Sequence, residues 1–256
     1  MKGTKVIAAG LVAATAMSLL AGCGSTASSG DKSSLKGKKL KAATGIYAPF
    51  AFKDKDGKTV GFDIDLMDAL AKKCGFTYDL TPTEYDAMFL AMSNGEYDIG
   101  MGQVCITADR QKKMGFTEPY WHAGLQVIVN KNAGITAVDQ LKGKKIAVEK
   151  GTAGHKYATE HFKDSEIVVF PQISAAFMEV EQGRAEAMIQ DKPNAAYYLK
   201  SHADSNLVFI GDETDKIPDG FALAKDSPYK AELDKALKEL QEDGTIKKLE
   251  DKWLNV

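Results

Sequence analysis

Charge of one sign is what this sequence has least of: 33 Lys and Arg stand against 35 Asp and Glu, leaving a net charge of -2 over 256 residues. The basic residues are dispersed rather than gathered in a stripe, so the electrostatic footprint of a nucleic-acid binder is missing. Histidine is scarce too. His155 and His161 are six residues apart, a spacing that does not put them on one helical face as a metal pair requires. Gly100-Met101-Gly102 begins like a nucleotide-binding loop, but Cys105 stands where the third glycine belongs. No Walker loop, serine elbow or HExxH occurs, although the lack of a motif does not by itself exclude catalysis. Beyond residue 22 no segment is long and apolar enough to cross a bilayer.

What is present begins at the N-terminus. Lys2 and Lys5 precede an apolar run, residues 6–22, which is interrupted by threonine and serine and falls short of a membrane span. Residues 1–22 therefore read as a secretory signal. Leu20-Ala21-Gly22-Cys23 resembles the bacterial lipobox, with Cys23 as the lipidated first residue of the mature chain. Residues 23–38, rich in glycine and serine, read as a flexible tether. Export permits a disulfide between the remaining cysteines, Cys74 and Cys105. Cys74, however, falls on the apolar stripe Ile64, Met67, Leu70 and Ala71, and a buried free thiol is expected.

The folded part alternates strands and helices, the grammar of an α/β chain with mostly parallel sheet. LKAAT (40–44) reads as a strand. Residues 62–74 read as an amphipathic helix with Asp63 as N-cap and Gly75 as its stop. DIGMGQVCI (98–106) reads as one buried strand, on which period two puts Met101, Gln103 and Cys105 on a shared face. After Tyr120-Trp121 the same grammar restarts, which favours two lobes: 39–122 plus 217–256, and 123–216. Near the end, Leu233, Ala236, Leu237 and Leu240 share one helical face. SNGEYDIGMGQ and EQGRAEAMIQD echo each other, each a helix end, a glycine, an apolar strand and a polar residue. One leads to Arg110 and the other to Asp191, so two lobes present opposite charges to the space between them. A zwitterion fits that arrangement.

YAPFAF, GFDIDLMDALAKKCG, SNGEYDI, ITADRQKKMGFTEPYW, DQLKGKKIAVEKGT and DGTIKKLEDKW occur in an order that resembles the amino-acid-binding proteins of ABC importers, the polar amino acid type (solute-binding protein family 3). The likeness runs from about Leu40 to Trp253. It implies a type II periplasmic-binding-protein-like fold: two α/β lobes joined by two hinge strands and closing on a ligand. It also implies a polar L-amino acid as ligand, an ABC permease as partner, a monomer, an extracytoplasmic location with a lipid anchor at the cell membrane, and no cofactor, metal or catalytic residue. Arg110 corresponds to the arginine that grips the ligand α-carboxylate, and Asp191 to the aspartate that holds its α-ammonium. Tyr47 and Tyr85 correspond to the aromatics that sandwich the side chain. Thr152 and Ala153, at the GT turn, offer a hydroxyl and backbone N–H groups to the carboxylate.

Physical chemistry agrees with those residue types. A planar guanidinium meets a carboxylate with two parallel charge-assisted hydrogen bonds, and the N–H groups opening a helix favour an anion. Two positions depart from the pattern. Cys105 stands where threonine or serine is usual, and Gln103 replaces a commonly small residue; the order Gln-Val-x-Ile-Thr looks more like the cystine-binding branch than the glutamine-binding one. The alternative implied by the same fold is a cyclohexadienyl-dehydratase-like enzyme, for which Glu149 or His155 would supply an acid.

Overall fold

A computed structural model describes residues 34–214 and 216–254 of the protein. The signal segment 1–22, Cys23 and the tether up to residue 33 lie outside the described residues. Ordered packing already includes Leu35, four residues before the lobe boundary expected at 39: its side chain is fully buried and its N–H donates to Glu232 at 2.7 Å.

Two five-stranded sheets organise the chain. The first has the spatial order Thr77–Pro82, Lys39–Thr44, Ile99–Met101, Ala222–Leu223, Gly115–Phe116; the second has Glu166–Phe170, Lys145–Glu149, Ala187–Asp191, Leu125–Asn130, Leu207–Ile210. In each sheet the three strands on one side pair in parallel, as the alternation of strands and helices suggests, but the other two pairings are antiparallel, so neither sheet is mostly parallel. The reason is the path of the chain. Strands Lys145–Glu149 and Ala187–Asp191 end at the cleft, whereas Leu125–Asn130 enters from the other lobe and must run away from it; Leu125 lies opposite Asp191. Ala222–Leu223, entering on the return crossing, runs antiparallel to Ile99–Met101 for the same reason. The two crossings, Trp121–Ala123 and Ile217–Asp219, pair with each other as an antiparallel ribbon.

Apolar clusters cover both faces of each sheet. Phe50, Phe62, Met67 and Phe221 lie fully buried in the first lobe, and Val129, Ile146, Val148 and Phe177 in the second. Each such side chain contributes about 1.5–3 kcal/mol relative to exposure. The helix Lys230–Glu242 buries Leu233, Ala236, Leu237 and Leu240, the face read from its spacing. Among the described residues no helix is long and apolar enough to cross a membrane. Cys74 and Cys105 are both free; Cys74 is half-buried rather than buried.

Two local expectations fail, and one contact explains both. Asp63 does not cap its helix. The N-cap of Phe62–Cys74 is Gly61, at φ 138°, and Asp63 lies inside the first turn with no exposure. Its Oδ2 instead accepts the N–H groups of Gly102 (2.7 Å) and Gln103 (3.0 Å). Those two residues have φ of 103° and 56°, so the strand that the apolar run 98–106 suggests stops at Met101. Period two is lost there, and alternation no longer decides which face Gln103 shares.

Candidate ligand-binding site

Beyond the Gly102-Gln103 turn the chain runs to Cys105, which pairs with Asp219 of the second crossing strand in an antiparallel bridge. Thr107 then caps the one-turn helix Ala108–Gln111, its Oγ1 accepting from Arg110 N at 3.3 Å. Arg110 therefore sits inside a short helix rather than directly at a strand end. Its guanidinium points back into the cleft. Nη1 donates to Cys105 O at 2.8 Å, and Nη2 crosses to the other lobe and donates to Gly151 O at 2.9 Å. The cation lies 4.4 Å from the Phe89 ring centre and 5.3 Å from that of Tyr85, distances at which ring faces attract cations.

Asp191 arrives from the opposite lobe, at the carboxyl end of Ala187–Asp191 and at the N-cap of Lys192–Ser201, yet its side chain makes no cap bond. Its Oδ1 lies 3.6 Å from Cys105 Sγ, a thiol contact. Burial pushes its pKa up to about 6, against the Cys105 contact and the Arg110 charge, which lower it. Thus Arg110 reaches the carbonyl of Cys105 while Asp191 reaches its thiol, and plus and minus poles from different lobes meet at one residue.

Tyr47 and Tyr85 are both buried, with ring centres 5.3 Å apart and an interplanar angle of 31°. Tyr85 Oη donates to Gln103 O at 3.1 Å, and Tyr47 Oη donates across the cleft to Glu149 Oε2. Gly45 is needed beside them, since a Cβ there would sit 2.7 Å from Tyr85 Cδ2. Thr152 caps Ala153–His161: its Oγ1 accepts from His155 N at 3.1 Å and donates to Glu149 O at 2.9 Å. The hydroxyl hydrogen is thus already committed, so in this arrangement an anion is offered only the backbone N–H groups of the helix start, beginning with Ala153. Gln103 is 1% exposed, and its amide has no hydrogen-bond partner among the described residues.

The lobes also touch outside the pocket. Lys150 pairs with Asp86 at 2.7 Å, Lys156 with Asp109, and Asn194 Nδ2 donates to Ala48 O at 2.6 Å. This is a closed cleft. No group of three or more His, Cys, Asp or Glu among the described residues is arranged to hold a metal ion.

A profile of the bacterial extracellular solute-binding proteins, family 3, matches residues 40–256. The chain belongs to that family. It is 32% identical over 222 residues to the L-cystine-binding protein TcyJ of Escherichia coli strain K12, with 85% of this chain and 83% of that protein aligned. Among solved structures, an ancestral arginine-binding protein bound to arginine matches with a TM-score of 0.81 at 34% identity, covering 86% of this chain and 100% of that one. The ancestral amino acid-binding protein AncCDT-1, a precursor of cyclohexadienyl dehydratase, matches with a TM-score of 0.77 at 39% identity, over 85% of this chain and 96% of its own. The two-lobed α/β architecture is the type II fold of these amino-acid-binding proteins.

Two buried acids of this solute-binding protein escape a motif reading. Glu149, 3% exposed, ends a core strand, and sequence reasoning names it only as an acid for the enzyme alternative. Burial pushes its pKa up to about 8 against the Tyr47 bond, which lowers it. Asp219 is fully buried on the crossing strand, with its pKa raised well above the usual range by burial and then by the charge of Asp191. In the sequence it precedes Gly220 and follows Pro218, the signature of an exposed turn, and no local signal marks it as interior.

Proposed function

We propose that the protein is an exported, lipid-anchored solute-binding protein, monomeric, that captures a polar L-amino acid between its lobes and delivers it to an ABC importer. The observation that carries this reading is the meeting of Arg110 and Asp191, from opposite lobes, at the two ends of Cys105. The guanidinium has five N–H donors, so it meets a ligand carboxylate with a charged pair of bonds while two of its other donors stay on the carbonyls of Cys105 and Gly151. The α-ammonium pairs with Asp191, and Tyr47 and Tyr85 flank the side chain. Ala153 N–H supports the carboxylate, Thr152 holds that helix start, and Cys105 and Gln103 line the floor. Closure follows because only the closed state offers both poles at once. Residues 1–22 serve as signal peptide, Cys23 as the lipidation site and 23–38 as tether between membrane and lobes.

A thermal-shift screen over the common amino acids with cystine and ornithine tests the reading, because a ligand that binds only the native state raises the melting temperature. At least one of them shifts it; a flat result across all of them sinks the proposal. The dehydratase alternative has Glu149 in its favour, a buried carboxyl that holds its proton near neutrality. Under the carrier reading, cyclic amino-acid precursors incubated with the protein come back unchanged.

The Asp191 pKa adds a pH dependence. Pairing with an ammonium needs the ionised carboxylate, and the free group protonates as pH falls through about 6. Affinity therefore drops roughly tenfold between about pH 7.5 and about pH 5, read by calorimetry. Stability of the ligand-free closed protein runs the other way. The native state holds this proton where the unfolded chain, with an aspartate pKa of about 3.9, has lost it, so the contribution present below about pH 4 is lost as pH rises through 6.

A further inference from the structure

Three buried carboxyl groups share this cleft with one guanidinium. Glu149 and Asp191 are each 3% exposed and Asp219 is fully buried, while Arg110 is the cation that acts on Asp191 and Asp219. Glu149 has Tyr47, Asp191 and Glu84 around it, with no cation among them. Lys150, next to Glu149 in the chain, is turned outward to Asp86, and Lys156 to Asp109.

Asp219 belongs to the same space. It lies directly opposite Cys105 in the antiparallel bridge, so the two side chains project from the same face, and the Cys105 thiol reaches Asp191 on that face. That thiol has a single hydrogen to share between Asp191 and Asp219, and no other donor reaches either oxygen of Asp219 among the described residues. Burial keeps the Asp219 and Glu149 carboxyls protonated in the ligand-free protein, and either one ionises only against a cation placed beside it. A zwitterion with a neutral side chain satisfies Arg110 with its carboxylate and one acid with its ammonium, and leaves the other acids unmatched.

Geometry says where a further positive charge would lie. Tyr47, whose ring lies tilted against that of Tyr85, donates its hydroxyl to Glu149. Glu149 in turn lines a cavity of about 370 Å³ at the lobe boundary together with Ile46, Glu84, Tyr85 and Ser174. A side chain laid along the two rings therefore ends at an acid, with space and a further acid, Glu84, beyond it. We infer that the cleft is built for a cationic amino acid, its side-chain cation held by Glu149 and its α-ammonium shared by Asp191 and Asp219. The inference rests on the amino-acid reading given above and narrows it to one charge class.

The decisive comparison is L-arginine against L-citrulline, which has nearly the same shape without the charge, measured by calorimetry on the purified protein near neutral pH. L-arginine or L-lysine binds at least about tenfold more tightly than L-citrulline. Glu149→Gln lowers the L-arginine affinity by about tenfold or more and changes L-citrulline binding by less than about threefold. Asp219→Asn, an isosteric change, weakens both because it acts on the shared ammonium. Retained L-citrulline binding in Glu149→Gln shows that the variant is folded. Tighter binding of L-citrulline, L-glutamine or L-cystine than of any cationic amino acid overturns the inference and leaves the amino-acid reading standing. Failure of every amino acid to bind the wild-type protein removes both.

Discussion

Arg110→Ala is expected to weaken amino-acid binding by roughly two to four decades while leaving the ligand-free protein folded. The loss has two sources. The ligand carboxylate forfeits charge-assisted hydrogen bonds from a guanidinium already held in position by Cys105 O at 2.8 Å, Gly151 O at 2.9 Å and the Phe89 ring. It is also left as a charge in a buried cleft beside Asp191, which repels it; breaking a buried pair by removing one partner costs about 3–5 kcal/mol. Arg110→Lys should recover only part of this, because an ammonium cannot meet a carboxylate through a planar fork while also bridging two carbonyls. The fold should tolerate the change, since Arg110 sits in a short helix outside both sheets and its backbone cap from Thr107 survives. Calorimetry measures the affinity and a melting curve the fold. A loss of less than tenfold with a normal melt rejects the proposed carboxylate role.

The sequence makes the architecture and the polarity of this site legible because both depend on short-range pattern. Helical spacing marks the buried face Leu233, Ala236, Leu237 and Leu240 without reference to anything distant. The echo of the strands before Arg110 and Asp191 puts opposite charges at the ends of two lobes, and in the structure they do meet across Cys105. Long-range contacts defeat the same method. Period two holds only while a strand stays extended, and nothing near Gln103 says that a carboxylate 40 residues earlier has bent it. Asp63 looks like a cap because it stands at a helix start, where acids are favoured for local reasons. Asp219 looks like a turn residue because proline and glycine flank it, yet its partner strand begins at Trp121, nearly a hundred residues upstream. Thr152 is legible as a cap and is one, but its hydroxyl is spent on that task and on Glu149 O.

Asp63→Ala should then be the substitution that most damages the frame without touching the ligand. Two backbone N–H groups, of Gly102 and Gln103, donate to one buried carboxylate oxygen at 2.7 and 3.0 Å. Alanine leaves both donors buried and unpaired, an expected cost of about 2–4 kcal/mol in urea unfolding. The turn cannot relax easily around the loss, because Gly102 is wedged against Thr44 and Gly45, where even a Cβ would approach Gly45 O to 2.9 Å. Burial raises the Asp63 pKa to about 6 against the two N–H bonds, which lower it, so near neutral pH the group is ionised and the bonds are at full strength. Asp63→Asn retains an amide oxygen to accept them and should lose less than about half as much. Binding should weaken in step with stability, because the Gly102-Gln103 turn aims Cys105, carries the carbonyl that accepts Tyr85 Oη, and leads into the helix of Arg110. A variant Asp63→Ala that unfolds at the wild-type urea concentration shows instead that the turn is held by its close packing, and that the carboxylate contributes little beyond the burial cost that raises its own pKa.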